Sequence, residues 1–384
     1  MGLEEVIPWI SYDMFVTLLI LAGLLIFLSV IVYIIKYLID NAPYAYVNAR
    51  VRGMEAKLLD DHKFNELIEA GSLVEVIGLL EDTEYSRYIS TTSKDRFSIE
   101  KSLDMHLAHI YKTLAEISPE KAKKVLKLFE KRYDIRNIKT ILRAKYAGLD
   151  GESTFKMLIP IGTIPENRLR ELCEAKTVEE VVTGLEGTEY GKILSEKLSE
   201  YEEYNNLLPL ELALDKYLYH SLWRTVKIEG ANEDIFKEFI GKMIDVENLK
   251  VILRCKREGV PSEVTLNYLL DVGYELAPWK LKELAEGESI EGVISSLEDS
   301  EYGNILAEHL EEYERSKSVF VFEKVLDNYI LEVGKRLSLR QPFGVGPIIG
   351  FLTSKEMEVK KLRAIINGKI EGLSPRDIKE LITN

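Results

Sequence analysis

From Met14 to Ile35 no position is charged, and most are Leu, Ile or Val. A run of that length matches the ~20 apolar residues a helix needs to cross a bilayer. It is apolar on every face, which a helix packed in a soluble core is not. Asp13 and Lys36 bound it. A secretory signal fits poorly, because the run is long, no basic segment precedes it and no small-residue cleavage site follows. The pattern predicts a membrane helix over residues 14–36.

Beyond it the period changes to that of amphipathic helices. Leu73, Val76, Ile77 and Leu80 form a stripe at i, i+3, i+4 and i+7. Val178, Val181, Val182 and Leu185 repeat it, as do Ile290, Val293, Ile294 and Leu297. Ser72, Thr177 and Ser289 stand where N-caps belong. Glu75 and Glu180 complete a capping box in the first two copies, and the third has Gly292 there.

Each stripe ends in one motif: L-E-D-T-E-Y from Leu80, L-E-G-T-E-Y from Leu185 and L-E-D-S-E-Y from Leu297. Tyr85, Tyr190 and Tyr302 then open second stripes, so the acidic link reads as a tight helix–helix turn. The tyrosines are expected as buried anchors. A third motif, E-x-x-L-D, places Glu100 and Asp104, Glu211 and Asp215, and Glu323 and Asp327 one turn apart on long helices. A fourth runs from Asp134, from Asp245 and, more weakly, from Glu358, and Gly148, Gly259 and Gly372 follow as helix stops.

Four motifs in one order, three times, predict an all-α chain of three similar helical domains, at 43–150, 151–262 and 263–384. The period of about 110 residues is long for a solenoid, so each unit is expected to hold a small core of its own. Lys156 to Thr163 is the nearest thing to an extended segment, and Pro160 and Pro165 make it a connector.

Composition narrows the function. The net charge of −14 is a poor match for nucleic acid, so protein partners are expected. Cys173 and Cys255 stand alone, which excludes a disulfide framework and suits a reducing compartment. Glu4, Glu5 and Asp13 precede the apolar run, and Lys36, Arg50 and Arg52 follow it. The basic flank places the main body on the cytoplasmic side of the cell membrane.

Candidate chemistry is sparse. The carboxylate pairs have acid–base or metal-ligand spacing, yet no Glu-x-x-His faces them. They read instead as ion-pair partners for basic residues of the fourth motif, such as Arg143 and Arg254. Of the five histidines only His106 and His109 share a helix face, and no third ligand joins them. No P-loop or nucleophile motif occurs. Gln341 to Pro347 reads as a bend, with Pro342, Gly344 and Gly346 in it and Pro347 opening the last long helix. No catalytic, cofactor-binding or metal site is expected. On the residues alone, the chain reads as a membrane-tethered scaffold or adaptor rather than an enzyme.

Three stretches carry a family resemblance: Tyr44 to Leu59 (YAYVNARVRGMEAKLL), the triplicated L-E-x-[TS]-E-Y, and Pro342 to Arg363 (PFGVGPIIGFLTSKEMEVKKLR). Together they resemble the C subunit of archaeal-type (A/V-type) ATP synthases, the counterpart of the d subunit of vacuolar ATPases. The resemblance implies three similar helical domains arranged as a funnel with pseudo-threefold symmetry. It implies a non-catalytic part of the central rotor, without cofactor, that caps the membrane rotor ring, seats the central shaft subunits and passes torque between ATP turnover and ion translocation. Such proteins begin near the Tyr44 position, so the preceding membrane helix departs from the pattern. It is expected to stand in the lumen of the ring and turn with it.

Overall fold

The computed structural model describes residues 12–89, 96–228 and 234–383. Glu4 and Glu5, used above to orient the membrane helix, lie outside them. Every regular element among the described residues is a helix. Seven are longer than twenty residues: α1 (Tyr12–Asn41), α2 (Arg96–Ile117), α3 (Glu120–Tyr146), α4 (Leu208–Ile228), α5 (Asp234–Arg257), α6 (Phe320–Arg340) and α7 (Gly346–Ile370). Short helices fill the intervals before α2, α4 and α6.

α1 stands apart. Its most apolar stretch buries nothing against the rest of the protein, and it is the one described helix long and apolar enough to cross a membrane. At ~1.5 Å per residue its 30 residues span about 45 Å. Pro43 turns its end through a short 3-10 segment into the helix Ala45–Glu55, whose Val47 and Val51 are fully buried. That helix packs on α7 and α2. The bend before α7 lies at the foot of α1: a Cβ added to Gly344 would sit 2.5 Å from the Asn41 amide oxygen.

The six other long helices pack in a closed cycle. α2 packs on α3, α3 on α4, α4 on α5, α5 on α6, α6 on α7, and α7 back on α2. The odd-numbered members α3, α5 and α7 end alike. Gly148, Gly259 and Gly372 lie at φ +73°, +66° and +71°, where L side chains are strained. In each case the next residue's N–H reaches back to close the final turn: Leu149 to Ala144, Val260 to Cys255 and Leu373 to Gly368.

The short helices pack in pairs, and the last of them returns to the first cluster. Gly151–Lys156 packs on Glu166–Cys173, and Ser262–Tyr268 packs on Pro278–Glu286. The C-terminal helix Pro375–Thr383 makes the same contact with Asp61–Glu69, near the other end of the chain. Its Ile378 is fully buried. The last helix therefore completes the first cluster of short helices.

The expectation of a separate small core per unit is not met. Most buried apolar side chains among the described residues connect continuously from Tyr44 to Ile378, with Ala108, Tyr133 and Ile159 forming a small separate cluster. The reason is the cyclic packing: each pair of long helices buries one face on its partner and another on the next pair. Lys156, expected to open an extended connector, instead closes the helix Gly151–Lys156, which Asp150 caps by accepting from the Ser153 N–H at 2.9 Å.

One glycine position shows why the L-E-x-[TS]-E-Y turn is tight. A Cβ on Gly191 or Gly303 would lie 2.2 or 2.0 Å from the carbonyl oxygen of Leu185 or Leu297. The first copy has Ser86 there, and its segment Glu84–Arg87 is 3-10 rather than α. Gly191→Ala and Gly303→Ala are each expected to destabilise by about 1–3 kcal/mol. Ser86→Ala should be near neutral. Urea unfolding followed by circular dichroism checks this.

Candidate functional site: three buried latches and three seams

The first cap of each stripe forms as expected. Ser72, Thr177 and Ser289 accept from the N–H groups of Glu75, Glu180 and Gly292. Glu75 and Glu180 reach back one residue beyond the cap, to the N–H groups of Gly71 and Lys176, both at 2.7 Å. The motif's Thr or Ser then caps the following turn. Thr188 accepts from Gly191 and Ser300 from Gly303, both at 3.1 Å, while Thr83 accepts from Tyr85 at 3.2 Å. The signal for this second cap is a Thr or Ser immediately before E-Y in all three copies.

The motif tyrosines are at most 2% exposed. Each donates its hydroxyl to a buried carboxylate that opens the fourth motif: Tyr190 to Asp134 at 3.0 Å, Tyr302 to Asp245 at 2.9 Å and Tyr85 to Glu358 at 2.7 Å. Each latch joins one copy to the copy before it, and the first copy to the third. The same carboxylates accept from backbone. Asp134 takes the N–H groups of Thr163 and Ile164 at 2.9 and 3.0 Å, Asp245 takes those of Tyr274 and Glu275 at 3.1 and 2.7 Å, and Glu358 takes that of Leu59 at 2.6 Å. Burial pushes all three phenols upward, and the adjacent carboxylate adds to this. Burial likewise pushes the Asp245 carboxyl up to about 6, against the donors that favour its ionised form.

Behind two latches lies a second layer. Tyr217 and Tyr329 each donate to the motif glutamate, Glu189 or Glu301, and each accepts from a lysine, Lys131 at 3.3 Å or Lys242 at 2.7 Å. Arg336, then Tyr329 and Lys242, hold the Glu301 carboxyl down to about 2. The first copy carries His106 at this position. Its ring lies 4.5 Å from that of Tyr85, yet neither ring nitrogen has a hydrogen-bond partner. The neighbouring Glu84 carboxylate keeps one oxygen unbonded, with the Lys355 ammonium 3.8 Å away. Burial, then the charge of Lys355, push the His106 imidazole down to about 3.

The long-helix carboxylates lie on the seams between copies. Arg143 grips Glu211 through two bonds of 2.6 Å, and Lys139 holds Asp215 at 2.7 Å. Arg254 grips Glu323 in the same way, and Lys250 holds Asp327. The α7–α2 seam differs. Arg363 holds Asp104 from α7, and Arg136 adds a contact at 2.8 Å from α3. The position of Arg143 and Arg254 is Asn367, so Glu100 has no arginine across the seam and bonds its neighbour Arg96 at 3.2 Å. The expected pairing with the fourth motif therefore fails for Glu100.

At the bend, Gly344 has φ +84° and α7 begins at Gly346 with Pro347 in its first turn. Pro342 precedes the turn, and the side chains of Leu339 and Phe343 are exposed there. Among the described residues no group of three or more His, Cys, Asp or Glu is placed to hold a metal ion.

Comparison with known proteins places this architecture. The family model described as ATP synthase (C/AC39) subunit matches residues 47–381. The chain is 57% identical over 368 residues to the C subunit of the A-type ATP synthase of Methanocaldococcus jannaschii, covering 95% of this chain and 92% of that one. It is 40% identical to that of Methanothermobacter thermautotrophicus, covering 97% and 96%. It is 38% identical to that of Methanosphaera stadtmanae, covering 99% and 98%. The chain belongs to the ATP synthase (C/AC39) subunit family, and with it to the subunits of a membrane-associated ATP synthase complex. The family model starts after α1, whereas the Methanosphaera alignment extends through it. The N-terminal helix is thus a segment shared with a relative rather than a departure peculiar to this chain.

Tyr302→Ala is expected to cost about 3–5 kcal/mol, because it empties a core position and removes a donor from buried Asp245. Tyr302→Phe keeps the ring and should cost about 1 kcal/mol. Denaturant titration separates the two.

His106 supplies a pH test. Its folded pKa lies below its ordinary value, so its contribution to stability is present above about pH 6.5 and is lost as pH falls from there toward 3. The loss reaches at most about 1.4 kcal/mol per pH unit. His106→Tyr restores the phenol of the other two copies. It should raise neutral-pH stability by about 1 kcal/mol and flatten that acid limb, as thermal melts between these pH values would read out.

Proposed function

We propose that the chain is the non-catalytic coupling subunit of its ATP synthase. In this role three similar helical units, near 43–150, 151–262 and 263–384, form a funnel-like body that caps the membrane rotor ring. The body seats the central shaft and passes torque between ATP turnover and ion translocation. The observation that carries the proposal is the cycle of six long helices, in which equivalent contacts recur at successive seams. A body with pseudo-threefold faces suits a seat on a rotationally symmetric ring. Latches and ion pairs between its copies limit their independent movement.

The foot of α1 and the bend at 341–346 mark the end of the body that faces the membrane. On this reading the body is cytoplasmic, and α1 stands in the ring lumen and contacts lipid there. A helix outside the ring, joined to a rotating cap by a few residues, would strike the static parts. The repeat tyrosines and carboxylates serve as structural anchors.

The test is extraction in mild detergent. The chain is expected to co-purify with ring and shaft subunits, and photo-crosslinkers along α1 should label the inner wall of the ring. Crosslinks to the ring's outer surface would place α1 elsewhere. Co-purification with neither assembly would leave a tethered scaffold as the better account.

A further inference from the structure

Residues 320–335 of α6, the second half of α7, the helix Asp61–Glu69 and the C-terminal helix enclose a groove of about 780 Å³. Its apolar lining includes Phe64, Ile68, Leu331, Met357, Leu381 and Ile382. Five lysines also line it: Lys324, Lys335, Lys360, Lys361 and Lys379. Asp61, Glu332 and Glu371 are the only acidic members, so the groove is net basic in a chain whose net charge is −14. Neither Lys324 nor Lys335 forms an ion pair among the described residues. Phe320 stands exposed at the rim.

The geometry points to a docking groove for an acidic amphipathic helix of a neighbouring subunit. Apolar positions on such a helix meet the floor, and its Glu or Asp side chains meet the lysines. A nucleic acid or an anionic lipid surface fits less well. The floor is apolar, the body as a whole repels polyanions, and the groove lies toward the end of α7 remote from the bend where α1 arrives.

The second copy supplies an internal control. The equivalent groove between α4 and α5 has about 490 Å³. It presents Leu212 where this one has Lys324, Glu247 where it has Lys360, and Asn248 where it has Lys361. The second groove also holds Lys139, Lys216 and Arg254, but Lys139 is paired with Asp215 and Arg254 with Glu323, so the face with five lysines offers more positive charge to a partner and prefers the acidic helix. A partner seated on a body of repeated faces would thereby be held at one angle rather than several. This inference rests on the proposed coupling role for the idea of a seated partner, and on the groove alone for its chemistry.

The test uses the full chain in detergent. The probe is a fluorescent amphipathic peptide of about 15 residues with Glu on its polar face. The peptide is expected to bind, and Lys324→Glu/Lys335→Glu should weaken binding by about tenfold or more with the helical circular dichroism unchanged. Lys216→Glu, in the groove of the second copy, should change it by less than about twofold. Equal losses from the two variants, or binding that survives the double reversal, would overturn the assignment. Peptide binding does not depend on co-purification with a ring or shaft. A failure here leaves the coupling proposal standing, and a failure to co-purify leaves the groove standing.

Discussion

The fold depends on a carboxylate held where water cannot reach it. Asp134, Asp245 and Glu358 are at most 3% exposed. A buried carboxylate is costly unless donors surround it. Here most donors are backbone N–H groups and a phenol that belong to the following copy, joined at Asp134 by the Thr163 hydroxyl and at Glu358 by the Lys355 ammonium of its own helix at 2.6 Å. Each carboxylate thus takes its backbone and phenol donors from another copy, so the three copies stabilise one another. Tyr85 and Glu358 extend this dependence across 273 residues of sequence, nearly the whole body that follows α1.

The three seams are not equal, and the inequality has a topological source. Two seams join helices that the chain connects through a cluster of short helices. The third joins α7 to α2, where no covalent connection exists. Among the described residues, most of the buried side-chain polar atoms without a hydrogen-bond partner lie there. They include both nitrogens of His106, one oxygen of Glu84, the Nε of Arg363 and the amide oxygen of Asn367. The second arginine clasp is missing at the same seam. The seam is held instead by the latch to Glu358, the contacts of Arg363 and Arg136 with Asp104, the interlocking terminal helix, Glu356, which accepts from Tyr111 at 2.6 Å and Arg132 at 3.1 Å, and Lys369, whose ammonium donates to the carbonyls of Ile68 and Ala70 at 2.5 Å each.

Much of this is readable in the residues. The uncharged run from Met14 predicts α1, and the stripes predict helices that the structure contains, with Ser72, Thr177 and Ser289 capping as expected. The fourth motif is recognisable, but not as the seat of the latch, because helical periodicity says which face an Asp occupies and nothing about which neighbour covers it. The same gap hides the direction of the ion pairs: Arg143 and Glu211 are 68 residues apart, and only the packing of α3 on α4 brings them together. Continuity of the core is hidden for a related reason, since a stripe shows that a helix buries a face without showing whether the partner lies in its own repeat. His106 carries a readable signal, as the one departure from Tyr at a position that Tyr217 and Tyr329 share.

The departures of the third fourth-motif follow from the same topology. Asp134 and Asp245 become Glu358, Asn137 and Asn248 become Lys361, and Arg143 and Arg254 become Asn367. Asn137 and Asn248 each clamp a backbone N–H and C=O, those of Ile159 and Leu270, in the segment that follows their own helix. After α7 the chain does not run on into such a loop; the covering segment is supplied by residues near Leu59, which come from the other end of the protein. The Asn clamp therefore has no sequential target at α7, and the position is free to carry Lys361, whose ammonium lies over the Phe64 ring at 5.0 Å. The longer Glu358 side chain reaches the Leu59 N–H and the Tyr85 hydroxyl together. The weakness of the third repeat in sequence is thus the mark of a cycle closed by side chains instead of by peptide bonds.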